Sequence, residues 1–147
     1  MVRFPLTVRL DDSDTHIFER AAEPGEWAIP GAFVFSGLPD GTALTGRMRQ
    51  AFSSGFLGLA SFGWSTLVRV AEMPERDYDT LTNSLAMHFV ARYGAPDLAS
   101  ALPVARQELE FATTLCDHPL ETLIAVERTL DEDGIREKFR VLSSPPS

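Results

Sequence analysis

Two long segments with helical spacing stand side by side in this chain, and strand-like segments lie before and after them. The first opens at Pro74, which suits the first turn of a helix, and carries Glu75, Asp77 and Asp79 where the helix dipole favours negative charge. Tyr78, Leu81, Leu85 and Phe89 form its apolar stripe, and Gly94 and Pro96 end it. The second runs from about Asp97 to Leu115 with Leu98, Leu102, Ala105, Leu109 and Ala112 on one face. Pro103 is expected to kink or restart it, and Asp117-His118-Pro119 to stop it.

The flanking segments read mostly as strands. Arg3 to Leu10 and Thr15 to Arg20 form an expected hairpin across Asp11-Asp12-Ser13-Asp14. Trp27 to Ser36 is a third strand, interrupted near Pro30-Gly31, and Gly37 to Thr42 is a turn. Thr45 caps an expected helix to about Leu57, with Met48, Phe52 and Phe56 on one face. Gly58 to Gly63 breaks it, and Trp64 to Met73 alternates as a fourth strand.

After the helical pair, Leu120 to Leu130 is a fifth strand and Asp131 to Gly134 a turn. Ile135 to Leu142 fits a sixth strand with a basic face of Arg136, Lys138 and Arg140, or a short helix through Ile135, Phe139 and Leu142. Strands that do not alternate regularly with helices argue against a doubly wound parallel sheet. The expected class is α+β: an antiparallel or mixed sheet of about five to six strands with about three helices on one face. Residues 1–142 read as one domain and 143–147 as a frayed tail.

Charge narrows the partners. The chain of 147 residues has 13 basic and 21 acidic side chains, a net charge of −8, and a pI near 4.8. A nucleic acid or an anionic membrane surface is therefore not an expected partner. Residues 1–74 carry 6 − 8 = −2 and residues 75–147 carry 7 − 13 = −6. The second half could face a basic partner; a well-solvated surface explains the same charges. A single cysteine, Cys116, forms no intrachain disulfide and suits a reducing compartment. The N-terminus lacks an apolar h-region, and no run of about eighteen apolar residues occurs, so a cytoplasmic location is expected.

Motifs that carry chemistry come close and fail. Residues 58–65, Gly-Leu-Ala-Ser-Phe-Gly-Trp-Ser, resemble a P-loop, but Trp64 stands where the phosphate-neutralising lysine belongs and the helix-to-strand order is reversed. A nucleophile elbow at Ser61 would need glycine in place of Leu59. The apolar run Phe52, Phe56, Leu57, Phe62 and Trp64 could line a ligand pocket or an interface; a helix-to-strand junction that buries its aromatics in the core is the favoured reading. Cys116-Asp117-His118 holds a nucleophile and a base, but at a helix C-terminus, where the dipole disfavours a thiolate. No CxxC or HExxH supports a zinc site, and Asp131, Asp133 and Gly134 lack the spacing of a calcium-binding loop. His88 reads as a packed or boundary residue, and His16 as part of an exposed edge.

Three stretches, Thr15 to Ala28, Ser54 to Val68 and Leu115 to Pro119, resemble a family of small uncharacterised alphaproteobacterial proteins, a domain of unknown function. The resemblance spans nearly the whole chain and brings no catalytic residues with it. It implies an accessory or maturation role beside molybdenum and iron–sulfur oxidoreductases.

The leading expectation is a non-catalytic accessory or interaction protein with a protein partner or self-association. The alternatives are a small-molecule binding domain with an aromatic pocket, and a small enzyme using Cys116/His118 or Glu19. The candidate binding residues are Phe56, Phe62, Trp64, Trp27, Arg20, Cys116 and His118, with no catalytic set, no metal ligands and no cofactor.

Overall fold

The computed structural model describes residues 1–35 and 46–143, apart from the side chains of Arg47 and Ser143. The turn expected at Gly37 to Thr42, the cap Thr45 and residues 144–147 of the tail lie outside them. Along the chain the elements are β1 (Val2–Val8), α1 (Ser13–Ile17), β2 (Ala28–Ile29), a 3-10 turn (Ala32–Phe35), α2 (Gly46–Ser54), β3 (Phe56–Gly58) and β4 (Trp64–Ser65). There follow β5 (Leu67–Met73), α3 (Glu75–Arg92), α4 (Leu98–Thr114), β6 (Leu123–Asp131) and β7 (Gly134–Ser143).

The class is α+β, but the strands form two antiparallel sheets, not one. The larger has the order β1-β5-β6-β7 and the smaller β2-β3-β4. The expected single strand Trp64 to Met73 is what divides them. Thr66 interrupts it, because its N–H and hydroxyl are both taken by the buried carboxylate of Asp14, the hydroxyl at 2.8 Å. A bridge between Leu6 and Trp27, with Thr7 N–H donating to Glu26 O at 2.8 Å, ties the sheets edge to edge.

The expected second strand, Thr15 to Arg20, is instead the one-turn helix α1 and the segment that leaves it. Asp11 accepts from Ser13 N–H at 2.8 Å, and the Asp12 carbonyl accepts from the Thr15 hydroxyl at 2.6 Å. Such local bonds offer the backbone an alternative to a ladder. The expected third strand shrinks to β2, since Pro30-Gly31 turns the chain into the 3-10 element. The helix expected to reach Leu57 stops at Ser54, and Phe56 and Leu57 become strand. Gly55 leaves room for the Trp64 ring, which a Cβ there would meet at 2.8 Å.

Arg128, 4% exposed, closes the same helix end. Its guanidinium donates to the carbonyls of Phe52 (3.1 Å) and Gly55 (2.7 Å), to that of Pro30, and to Glu137 at 2.8 Å. A cation on orphan C-terminal carbonyls satisfies both the hydrogen bonds and the dipole.

The helical pair forms as its periodicity dictates. Asp97 caps α4 by accepting from Ser100 N–H at 2.8 Å, and α4 continues through Pro103 as one helix, without the expected restart. Residues 135–142 are strand, paired with β6 from Asp131↔Gly134 to Ile124↔Val141.

The core has two clusters. Phe4, Met73, Leu85, Phe89, Ala105 and Leu109 belong to the first, packed around α3 and α4. Phe56, Val68, Val70, Cys116, Ile124 and Val126 belong to the second. In β5, Val68 and Val70 are buried on one face, then Ala71 and Met73 on the other, so the strand changes its buried side between Val70 and Ala71. No helix is long and apolar enough to cross a membrane among the described residues.

Candidate functional site

The loop between β3 and β4 is built around a carboxylate. Glu26, 7% exposed, accepts from Ala60 N–H (3.0 Å), Ser61 N–H (2.7 Å), the Ser61 hydroxyl (2.7 Å) and Glu23 N–H (2.6 Å). Burial works to raise its pKa, but these four hydrogen bonds outweigh it, and the carboxyl sits below its ordinary value. The near-miss P-loop thus does cradle an anion, one supplied by the chain itself. Gly58 is required there, since a Cβ would stand 2.5 Å from the Glu26 carboxylate.

The clamp sets Phe62 in the left-handed region, at φ 57°, which a side chain of this size adopts only when its surroundings impose it. The half-buried Phe62 ring lies flat against His88 of α3, with centroids 3.7 Å apart and planes 7° from parallel. Gly63 follows because the Ala21–Ala22 backbone crosses it; a Cβ would meet those atoms at 2.7 Å. At that crossing Trp64 N–H donates to Arg20 O (2.9 Å) and Ala22 N–H to Trp64 O (2.8 Å), a parallel bridge that fixes Arg20 beside the aromatic loop.

Two clefts meet at this point. One, of about 420 Å³, is lined by Glu19, Arg20, Met48, Ala51, Phe62 and Trp64. The other, of about 580 Å³, is lined by Arg20, Phe62, His88, Arg92 and Tyr93. Arg20 and Phe62 belong to both. Burial, with help from Arg92, lowers the pKa of His88 and favours its neutral form at pH 7. Burial raises that of Tyr93, whose hydroxyl stays a donor.

The residues singled out from the sequence separate into three places. Arg20, Phe62 and Trp64 come together in the clefts, although Trp64 is 8% exposed and stacks mostly inward on Phe35, with ring centroids 5.4 Å apart. Phe56 and Cys116 do not line the clefts, because both are sealed in the second core cluster. Burial pushes the Cys116 thiol up to about 12, so it stays protonated and unreactive at neutral pH. His118 is half-buried at the end of α4, where its carbonyl accepts from Arg3. Trp27 packs edge-on to Phe4 at the seam of the two sheets. The reading of the sequence missed His88, Arg92 and Tyr93 as site residues. The spacing i, i+4 of His88 and Arg92 places both on one face of α3 and was the available signal.

Fold and site together define an α+β domain of two antiparallel sheets whose central loop presents an aromatic and basic cleft. The chain matches the family of unknown function DUF6505 over residues 1–147 and belongs to that family. No curated protein and no solved structure matches the chain.

Proposed function

We propose that the protein is a non-catalytic binding domain of an accessory kind, which takes a small organic molecule into the joined clefts around Phe62. One observation carries this: two clefts of ligand size converge on the same two side chains, Arg20 and Phe62, whose backbone is positioned by the Glu26 clamp and the Ala21–Trp64 bridge. Among the described lining residues no Ser, Thr, Cys or Lys stands beside His88 as a nucleophile, and Glu19 lines the adjoining cleft and not the one that His88 lines. The setting implied by the resemblance, beside molybdenum and iron–sulfur oxidoreductases, suits a carrier or sensor of this type. Fragment screening by protein NMR tests the reading. Binders should move the Phe62 and Gly63 amides and the Trp64 indole in the wild type but not in Phe62→Ala. Binders that map elsewhere, or none at millimolar concentration, would remove the basis for it.

Protein association is the second reading. Met87, Val90 and Tyr93 step along α3 with 62%, 39% and 44% exposure, and Tyr93 brings that stripe to the cleft. Sedimentation should show self-association that Met87→Lys weakens; a wild-type monomer at all concentrations argues against self-association.

A further inference from the structure

The chain carries a net charge of −8, yet the cleft on the His88 side of Phe62 has two guanidinium groups, from Arg20 and Arg92, and no Asp or Glu among the described residues of its lining. Neither side chain forms an ion pair among the described residues. Among the described residues Arg92 makes no hydrogen bond or ion pair. Arg20 makes one long hydrogen bond, 3.4 Å to the Ser61 carbonyl, and no ion pair. Other arginines, such as Arg76 and Arg106, also lack an ion pair among the described residues; what sets Arg20 and Arg92 apart is that both line one cleft with Phe62 and His88. A guanidinium without a carboxylate is a planar set of donors suited to a carboxylate or phosphate. Across Phe62, the adjoining cleft changes character and offers Trp64, Met48 and Ala51, with the one carboxylate of the described lining, Glu19, beside Arg20, so the anionic end of a ligand belongs on the Arg92 side and only its apolar body on this one.

From this arrangement we infer that the ligand is a small organic anion. Its carboxylate or phosphate group is received by Arg20 and Arg92, and its apolar body lies across Phe62 toward Trp64. The inference deepens the binding role proposed above and rests on it. Charge and body are both required. A neutral amide of the same shape keeps the apolar contact but loses the charge-assisted hydrogen bonds. Inorganic phosphate keeps the charge but leaves the half-buried Phe62 ring and the small open edge of Trp64 without apolar contact.

The test is titration of the full chain with 4-phenylbutyrate, its neutral amide, phenyl phosphate and inorganic phosphate. The Phe62 and Gly63 amides and the Trp64 indole are followed by NMR. The aryl anions should bind about tenfold or more tightly than the amide, with affinity falling as salt is raised. Arg92→Gln and Arg20→Gln should each reduce that preference while the amide binds as before. Arg92 lies in the exposed last turn of α3, so at least that variant should keep the wild-type spectrum away from the cleft. Equal binding of acid and amide overturns the anion inference and leaves the cleft reading standing. Inorganic phosphate binding as tightly as phenyl phosphate overturns the part assigned to Phe62 and Trp64. No saturable shift with any of the four probes overturns both the inference and the reading beneath it.

Discussion

Replacing Glu26 with glutamine exchanges one carboxylate oxygen for an NH2 group and tests the whole logic of the loop. The amide oxygen can take the place of the carboxylate oxygen that accepts from Ala60 and Ser61 N–H at 3.0 and 2.7 Å. The amide NH2 then faces the Glu23 N–H, which now lies 2.6 Å from a carboxylate oxygen, and two donors meet. The Ser61 hydroxyl can rotate to accept, but the Glu23 N–H cannot. One buried donor without a partner costs about 1–3 kcal/mol, and the surviving bonds lose their charge assistance. A total of about 2–3 kcal/mol is expected at pH 7, a fall in Tm of roughly 8 °C for a chain of this size.

The sign with pH follows from the lowered pKa. The carboxylate contributes stability that is fully present above the unfolded Glu value of about 4.3 and is lost as pH falls through the lower folded value. Wild type and Glu26→Gln should therefore converge in acid, because a protonated Glu26 resembles glutamine. Urea unfolding at pH 7 and at pH 3 measures both. A difference below about 0.5 kcal/mol at pH 7, or one that stays constant down to pH 3, would refute the clamp as an electrostatic device.

Three further outcomes are expected. Arg128→Met should cost about 3–5 kcal/mol in urea unfolding, because it strands Glu137 and the carbonyls of Pro30, Phe52 and Gly55. Gly63→Ala should cost about 1–3 kcal/mol and shift the Arg20 amide resonance, since the new methyl meets the Ala21–Ala22 backbone at 2.7 Å. Cys116 should resist iodoacetamide at pH 8 in the native protein and react once urea unfolds it; ready alkylation of the folded chain would contradict both its burial and its raised pKa.

The parts of this fold readable from the sequence are those whose causes are local. The stripes of α3 and α4 run for 18 and 17 residues, so the period of about 3.6 dominates. The tight turn before Gly134 and the alternation of β7 are similarly self-contained. Two of the errors have distant causes, whereas the loss of the second strand to α1 and the shortening of the third at Pro30-Gly31 have local ones that competed with the alternation. Nothing near Thr66 announces a break in Trp64 to Met73, because the group responsible, Asp14, is 52 residues away. The truncation of α2 depends on Arg128, more than seventy residues downstream.

The site divides in the same way. Arg20, Phe62 and Trp64 stood out through residue type and the neighbouring glycines. His88 and Arg92 lie on a helix whose apolar stripe already accounted for its pattern. Only the tertiary stack of His88 on Phe62 shows that α3 forms the second wall.

The position of β7 at the end of the larger sheet bears on how the protein behaves at high concentration. An outermost strand leaves a row of backbone donors and acceptors available to another chain, and ten residues is a long row. Arg136, Lys138 and Arg140 project from it at every second residue, all exposed. A second copy adding its own β7 alongside would find Arg136 and Arg140 already paired with Asp131 and Glu127, and Lys138 the one cation of the three without an ion pair among the described residues. Lys138, in the middle of the strand recognised by its alternation, is thus the charge that opposes growth of the sheet by accretion of its own kind.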